Sequence, residues 1–436
     1  MMIFEKSRLI QKRIHEVIPG GCHTYAKGDD QFPEHMPIYI KKGKGCHVWD
    51  VDGNEYIEYN MGLRAVTLGH AFKPVLKAAY KGTKMGNNFV RPSYLELECA
   101  EKLKSLIPYA EMVKFGKNGS DTTDAAIRLA RAFTGRDYVA VCADHPFFSI
   151  SDWFMVTTPV AGGIPEIHKN LALKFKYNDI DSIKKLFESQ PNKVACLIME
   201  AEKNEKPTNN FLKEVREICH KNGALFILDE MITGFRWDIG GAQKYYQVEP
   251  DLACFGKALG NGFSISALTG KKEIMELGGL SHDKKRVFLL SLTHGAESTS
   301  LAAALEVMKI YQTESVVETL WDTGRYLTEK LKPIIAEFKL EEHIQLLGKP
   351  CCLVYTTKDN DLQPSQPFRT LFLQEAIRRG LLATSFVTSY SHTHRELDRT
   401  VEIINEVLTI YRKALDEGID KYLKGRSIKT VYRTYN

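Results

Sequence analysis

Long hydrophobic runs, blocks of like charge and a metal-binding cysteine pattern are all missing from this chain of 436 residues. Apolar stretches such as residues 194–199 and 224–228 are far too short to cross a bilayer, so they predict buried strands. The formal net charge is +5, with 59 Lys and Arg against 54 Asp and Glu, and this near balance disfavours nucleic acid as the main partner. We therefore expect neither a nucleic-acid-binding protein nor a membrane protein.

The cysteines and the first twenty residues bear on cellular location. The nine cysteines include no C-x-x-C spacing, and several lie within apolar runs, where a free thiol behaves as a small hydrophobe. Charged side chains interrupt residues 1–20, so no continuous hydrophobic signal core forms. From these observations we expect a reducing, cytoplasmic location and no bound metal.

Strand-like and helix-like segments alternate between residues 70 and 300. Short runs rich in β-branched residues at 138–143, 194–199, 224–228 and 252–255 are separated by segments of helix length. Such alternation predicts an α/β fold whose mostly parallel sheet is covered on both faces.

The segments on either side of this region predict a smaller domain. Residues 4–18 place apolar side chains at helical spacing, and Asp52-Gly53 lies between two alternating runs, which predicts a β-hairpin. Residues 351–356 are typical of a strand and residues 396–414 of an amphipathic helix. We expect three segments: residues 1–65 packing with the small domain, residues 66–315 forming the large domain, and residues 316–436 forming the small α+β domain.

Three groups of polar residues follow apolar strands, at the edge where open parallel sheets bind their ligands. Asp229-Glu230 follows residues 224–228, and Lys257 follows residues 252–256. The third group, Lys117 to Asp121, follows residues 112–115 and opens a helical pattern. We expect these groups to form one ligand-binding region.

Each group has a plain structural interpretation and a chemical one. Gly119 followed by Ser120 suits a phosphate at a helix N-terminus, although this segment alone favours an ordinary capped helix. Desolvation disfavours a charged Lys257, and a lysine with a lowered pKa attacks aldehydes. Asp229 could face a pyridine nitrogen, or the two residues could form a buried ion pair. Aldehyde, ring nitrogen and phosphate together indicate pyridoxal 5'-phosphate (PLP).

Three stretches of sequence then resemble a known family. Residues 112–135, 229–241 and 250–275 are similar to the class III aminotransferases, and the resemblance extends from about Ser7 to the last helix. Within that family the chain is most similar to the glutamate-1-semialdehyde 2,1-aminomutases. The resemblance implies PLP-dependent transferase fold type I, a small domain built from the N- and C-terminal segments, and a homodimer with active sites at the subunit interface.

The resemblance also implies roles for individual residues. Lys257 matches the Schiff-base lysine, and Asp229 matches the partner of the pyridine nitrogen. Positions that match the remaining cofactor contacts are Asn118, Gly119 and Ser120 in the phosphate loop, Met231 on one ring face, Phe147 on the other and Thr293 toward the neighbouring subunit's phosphate. Phe147 could instead be a plain core aromatic.

Departures from the aminomutase pattern fall at substrate positions. Its Ser-Pro-x-Arg segment is replaced by a stretch containing Thr24 and Lys27, and a lysine does not reproduce a bidentate arginine clamp. Its Trp-Gly pair is replaced by Leu63-Arg64. We expect Thr24, Lys27 and Arg64 to contact substrate, although a structural arginine is a common alternative for Arg64.

The cofactor residues are kept while the substrate residues change, so the chemistry is expected to persist on another substrate. We expect an aminotransferase that moves an amino group from an amino acid donor to a small polar or sugar-derived aldehyde or ketone. The alternative is a 2,1-aminomutase, which carries out both half-reactions on one molecule. A non-catalytic relative of the same fold is disfavoured by the presence of Lys257, Asp229 and Gly119-Ser120 together.

Overall fold

The computed structural model describes residues 2–144, 149–203, 205–208 and 210–435. The chain forms two compact units. The terminal unit contains Met1–Phe72 and Glu318–Val431, and the central unit contains Lys73–Val317 and Tyr432–Asn436. The expected small domain included the whole C-terminal segment, whereas the end of the chain groups with the central unit. Tyr432 lines a cavity together with Val141 and Lys174 of the central unit.

The strands and helices have the following bounds. The strands are β1 (Ile40–Lys44), β2 (His47–Asp50), β3 (Glu55–Glu58), β4 (Met112–Gly116), β5 (Tyr138–Cys142), β6 (Ala172–Phe175), β7 (Val194–Met199), β8 (Leu225–Asp229), β9 (Leu252–Phe255), β10 (Ser266–Gly270), β11 (Leu346–Leu347), β12 (Val354–Tyr355) and β13 (Leu381–Leu382). The helices are α1 (Glu5–Val17), α2 (Met61–Arg64), α3 (Lys73–Lys84), α4 (Tyr94–Leu106), α5 (Gly119–Thr134), α6 (Asp152–Met155), α7 (Ile180–Ser189), α8 (Phe211–Lys221), α9 (Gly241–Tyr245), α10 (Lys272–Met275), α11 (Ser298–Thr313), α12 (Val316–Glu337), α13 (Gln366–Arg378) and α14 (His394–Glu417).

A seven-stranded sheet forms the centre of the central unit. Its strand order is β4-β10-β9-β8-β7-β5-β6, and β10 pairs antiparallel with both neighbours while the strands from β9 to β6 are parallel. Residues of β7 and β8 are buried throughout, because helices cover both faces of the sheet. The predicted α/β class with a mostly parallel sheet is confirmed.

The terminal unit contains a small mixed sheet of order β1-β2-β3-β13. The predicted hairpin is present, since β2 pairs antiparallel with β3 across Asp52-Gly53. Asp52 also accepts hydrogen bonds from the backbone N–H groups of Lys6 and Ser7, so the turn stabilises the first turn of α1. β13, from the C-terminal segment, pairs parallel with β3 from the N-terminal segment.

The strand predicted over residues 351–356 is shorter than expected. Residues Pro350–Cys352 form a 3-10 turn, and only Val354–Tyr355 pairs as β12. Proline lacks an N–H group and has a fixed φ, so Pro350 favours a turn over a strand at this point.

A left-handed turn follows β3. The five consecutive residues 60–64 all have positive φ, from 39° at Met61 to 71° at Asn60 and Arg64. A left-handed conformation costs a residue other than glycine roughly 1–2 kcal/mol, so this turn stores strain. The side-chain amide of Asn60 donates to Thr384 Oγ1 at 2.9 Å, which helps to hold it.

Two further observations concern membrane-spanning helices and cysteines. Within the part of the chain that the structure describes, no helix combines the length and apolar character needed to span a bilayer. All nine cysteines are free thiols.

Candidate active site

Asp229 and Lys257 lie at the carboxyl ends of neighbouring strands. Asp229 is the last residue of β8, and its register partner on the parallel strand β9 is Cys254. Lys257 follows β9 after Gly256 and begins a 3-10 helix, Lys257–Gly260. The parallel pairing therefore brings the predicted carboxylate and amine to one edge of the sheet.

Asp229 is a buried carboxyl group with a raised pKa. Burial is the main cause, the negative charge of Glu200 adds to it, and together they raise the pKa of Asp229 to about 7. The N–H of Met231 donates to Asp229 Oδ1 at 2.9 Å, and this bond and the charge of Lys257 act in the opposite direction. A cation placed beside Asp229 would stabilise its ionised form.

Glu230, the next residue, serves a different purpose. Its carboxylate accepts hydrogen bonds from the N–H groups of Ala242 at 2.7 Å and Gln243 at 2.8 Å and from the hydroxyl of Thr233. A side chain at Gly241 would collide with Glu230 Oε2, since a Cβ atom there would lie 2.4 Å from it. Of the predicted carboxylate pair, Glu230 therefore fixes the residues that follow β8, and Asp229 is the candidate for chemistry.

Lys257 has an unusual backbone conformation. Its φ is 44°, in the left-handed region, directly after the strand ends. Lysine rarely adopts this conformation, and strained backbone concentrates at functional sites. The turn from β9 thus orients a half-buried amine at the sheet edge at some cost to stability.

The predicted phosphate loop begins the 16-residue helix α5. Asp121 Oδ2 accepts the N–H groups of Lys117 at 2.9 Å and Asn118 at 2.8 Å, which fixes the approach to the helix. Ser266 Oγ donates to the carbonyl of Asn118 at 2.8 Å and holds the loop against β10. Gly119 and Ser120 are the first residues of α5, where N–H groups have no partner within the helix and the dipole favours an anion.

Met231 connects the three strand ends. A Cβ atom on Gly119 would lie 3.1 Å from Met231 Sδ, and one on Gly256 would lie 2.7 Å from the same sulfur. The thioether therefore lies between the start of α5 and the turn that carries Lys257. The sequence predicted that the phosphate loop and Lys257 lie at one edge of the sheet. The short distances from Gly119 and Gly256 to Met231 show that the loop and the lysine turn are neighbours.

The other predicted residues have separate places. Thr293 is exposed, and its carbonyl accepts the side-chain amide of Asn88 at 2.9 Å. Thr24 and Lys27, both exposed, and half-buried Arg64 belong to the terminal unit. Phe147 lies outside the described residues.

Two residues, Glu200 and Glu297, were not singled out from the sequence. Glu200 directly follows the apolar strand β7, so the signal that indicated Asp229 could also have indicated it. Lys117 Nζ contacts Glu297 Oε1 at 2.7 Å and Ser300 Oγ at 3.1 Å, which joins the phosphate loop to the start of α11. A pair 180 residues apart leaves no local signal in the sequence.

Known proteins are similar to this chain in sequence and in fold. The family model described as Aminotransferase class-III matches residues 29–415. The glutamate-1-semialdehyde 2,1-aminomutase of Archaeoglobus fulgidus is 32% identical over 430 residues, which cover 93% of this chain and 100% of that protein. The aminomutase of Sulfurihydrogenibium azorense is 31% identical over 433 residues, with 93% and 99% covered.

A solved structure shows the same fold. The omega-transaminase from Sphaerobacter thermophilus superposes with a TM-score of 0.85 at 24% identity, covering 93% of this chain and 98% of that one. The family model matches most of the chain, and the strand ends, the start of α5 and Lys257 are arranged as described above. The chain therefore belongs to the class III aminotransferases, a family of PLP-dependent enzymes of fold type I.

Proposed function

We propose that the protein is a PLP-dependent aminotransferase in which Lys257 holds the cofactor, Asp229 binds its ring nitrogen and Gly119-Ser120 bind its phosphate. The observation that carries this proposal is the position of Met231 Sδ between Gly119 and Gly256, because it makes the phosphate loop and the lysine turn neighbours.

The residues present fit this cofactor. Asp229 is buried next to another carboxylate, Glu200, and a protonated ring nitrogen would supply the positive charge that this environment lacks. The start of α5 offers N–H groups to a phosphate. Because Gly119 and Gly256 carry no Cβ, the Met231 thioether packs against both backbones, and from this position it would contact one face of the cofactor ring.

Lys257 and Asp229 have different roles in the proposed reaction. PLP supplies an aldehyde and an electron-withdrawing ring when it is bound. The amine of Lys257 would hold the cofactor through its aldehyde group, and as a free amine it would accept the proton that leaves the substrate Cα. Asp229 keeps a proton on the ring nitrogen, since its ionised form is stabilised by that cation.

The substrate side is proposed to involve Arg64, Thr24 and Lys27. Arg64 is the strongest of the three candidates, because it ends a left-handed turn of five residues and such strain is retained where function needs it. A guanidinium there suits the carboxylate of an amino acid. Thr24, which precedes the 3-10 turn Tyr25–Lys27, and Lys27, which ends it, are assigned from the changed sequence segment.

For the substrates, we propose an amino acid donor and a small polar or sugar-derived aldehyde or ketone as acceptor, which follows from the changed substrate positions. The first experiment adds L-glutamate to the purified, yellow holoenzyme. Loss of the visible absorbance of the bound cofactor would support an aminotransferase with glutamate as donor. Holoenzyme that keeps its colour with every common amino acid would contradict the aminotransferase proposal.

A 2,1-aminomutase is the second candidate, and the names of the curated relatives favour it. The two candidates differ in whether a separate donor is consumed. Incubation with glutamate-1-semialdehyde alone should yield 5-aminolevulinate for an aminomutase, while an aminotransferase needs both donor and acceptor.

We also propose a homodimer. Large apolar side chains are exposed between residues 76 and 97, and they include Val90 at 100%, Tyr80 at 65% and Leu97 at 62%. Exposed apolar side chains at several positions of one segment suit contact with a second copy. Light scattering should give twice the chain mass, and Val90→Asp with Leu97→Asp should give monomers. From the resemblance to the family, we also propose that Thr293 reaches the neighbouring subunit's phosphate and that Phe147 contacts the ring face opposite Met231.

A further inference from the structure

The carboxylate of Asp124 on α5 accepts hydrogen bonds from a separate segment, residues 149–153. Ser149 Oγ donates to Asp124 Oδ1 at 2.7 Å, Trp153 Nε1 donates to the same oxygen at 2.6 Å, and the hydroxyl of Ser151 donates to Oδ2. Hydrogen bonds to an ionised carboxylate are stronger than those between neutral groups. Ser149 is fully buried and Trp153 is 7% exposed, so the attachment is part of the packed interior.

The same stretch also contacts the proposed phosphate loop. The N–H of Ile150 donates to Ser120 Oγ at 3.2 Å. A serine oxygen that accepts one hydrogen bond still has its own hydroxyl proton to donate. Because Ile150 occupies the acceptor side of Ser120, that proton is directed toward a different acceptor. Asp124 lies four residues beyond Ser120, on the same side of α5.

We propose that Asp124 is a positioning residue for cofactor binding, which holds residues 149–153 so that the N–H of Ile150 orients the Ser120 hydroxyl toward the cofactor phosphate. The inference rests on the proposed function, because it takes the anion at the start of α5 to be the phosphate of PLP. Asp124 itself does not touch the phosphate in this account. It acts through two hydrogen bonds in series, first to the segment and then to Ser120.

The test compares two ligands that differ only in the phosphate. Apoenzyme carrying Asp124→Ala is titrated with PLP and with pyridoxal, and binding is followed by the visible absorbance. We expect PLP affinity to fall about tenfold, as for the loss of one or two oriented hydrogen bonds, and pyridoxal affinity to stay within about twofold of wild type. Asp124→Asn should restore most of the loss, since its amide oxygen still accepts from Ser149 and Trp153.

A matched control and a double variant complete the test. Asp181→Asn removes an exposed carboxylate from the first turn of α7 and should change neither affinity. Adding Ser120→Ala to Asp124→Ala should weaken PLP binding little further, because both changes remove the same phosphate contact. If Asp124→Ala does not fold, Ser149→Ala with Ser151→Ala keeps the carboxylate and should show the same phosphate-specific loss.

The outcomes separate this inference from the proposed function. Equal losses for PLP and pyridoxal, or no loss for PLP, would show that Asp124 acts only as a structural residue and would overturn the inference while leaving the aminotransferase intact. Wild-type apoenzyme that takes up no PLP would overturn the proposed function, and the inference with it.

Discussion

The proposed cofactor residues and the proposed substrate residues lie in different kinds of backbone. In the central unit, Asp229 ends the buried strand β8 and Gly119 begins the long helix α5. In the terminal unit, Thr24 precedes a three-residue 3-10 turn that Lys27 ends, and Arg64 ends a left-handed turn. The first group is fixed by the hydrogen bonds of a sheet and a helix, whereas the second depends on loops.

This difference shows how one family can keep its chemistry while it changes substrate. The ends of β8 and β9 are set by pairing across the sheet, and a change there would disturb a buried core. Short turns tolerate substitution more easily, because fewer backbone groups depend on them. The comparison therefore predicts that changes in the central unit abolish the reaction and that changes in the terminal unit alter substrate choice.

We expect Lys257→Ala to have the largest effect of the variants that test this comparison. We expect kcat to fall at least about 1,000-fold, because the proton-transfer group is lost, and borohydride reduction should leave no pyridoxyl label at this position. The matched control is Lys271→Ala, which removes another lysine that follows a strand but pairs with Asp251 at 2.9 Å. A pyridoxyl label that persists on Lys257→Ala protein would show that another lysine holds the cofactor.

Arg64→Ala tests the substrate side. For an acidic amino donor, loss of a charge pair should raise KM about 30-fold and leave kcat at saturation nearly unchanged. The KM of Arg64→Lys should lie between those of wild type and Arg64→Ala, since an ammonium keeps the charge and loses the bidentate geometry. Arg325→Ala, in the same unit and half-exposed beside Asp322, is the control. Unchanged kinetics in Arg64→Ala would mean that the residue is structural.

The raised pKa of Asp229 predicts how the cofactor-free protein responds to pH. Its folded-state pKa of about 7 is above the unfolded value of 3.8, so the protonated form stabilises the fold below pH 4 and this contribution is lost as pH rises toward 7. Between pH 5 and about pH 8, the free energy of unfolding should fall more in wild type than in Asp229→Asn, by roughly 2–3 kcal/mol. Urea unfolding of both apoproteins measures the difference. Parallel pH curves would argue against a buried, ionisable Asp229.

Leu63→Gly is expected to have the smallest effect. Glycine adopts positive φ without strain, so stability should be maintained, but a relaxed turn should hold Arg64 less firmly and raise KM about fivefold. Lys339→Gly relieves an equivalent positive φ on the surface and should leave KM unchanged. Thermal unfolding and steady-state kinetics give both quantities. A variant of lower stability with normal KM would contradict the role proposed for the turn.

The same comparison explains what the sequence could predict. β7 and β9 have the predicted bounds, because apolar runs that end in polar residues identify buried parallel strands. The left-handed turn at residues 60–64 could not be foreseen, since Asn60 and Gly62 suit it but Met61 and Leu63 do not. Contacts such as Lys117 with Glu297 depend on how distant elements pack, so no local pattern reveals them.

The position of Met231 between two glycines has an evolutionary consequence. The resemblance to the family places a valine at this position, and the longer thioether occupies space that a Cβ on Gly119 or Gly256 would need. Changes at the three positions are therefore not independent. An alanine at position 256 requires residue 231 to shift or to become smaller, so the order of mutations affects their cost on a path between this chain and its relatives. Sets of related sequences should show the three positions varying together.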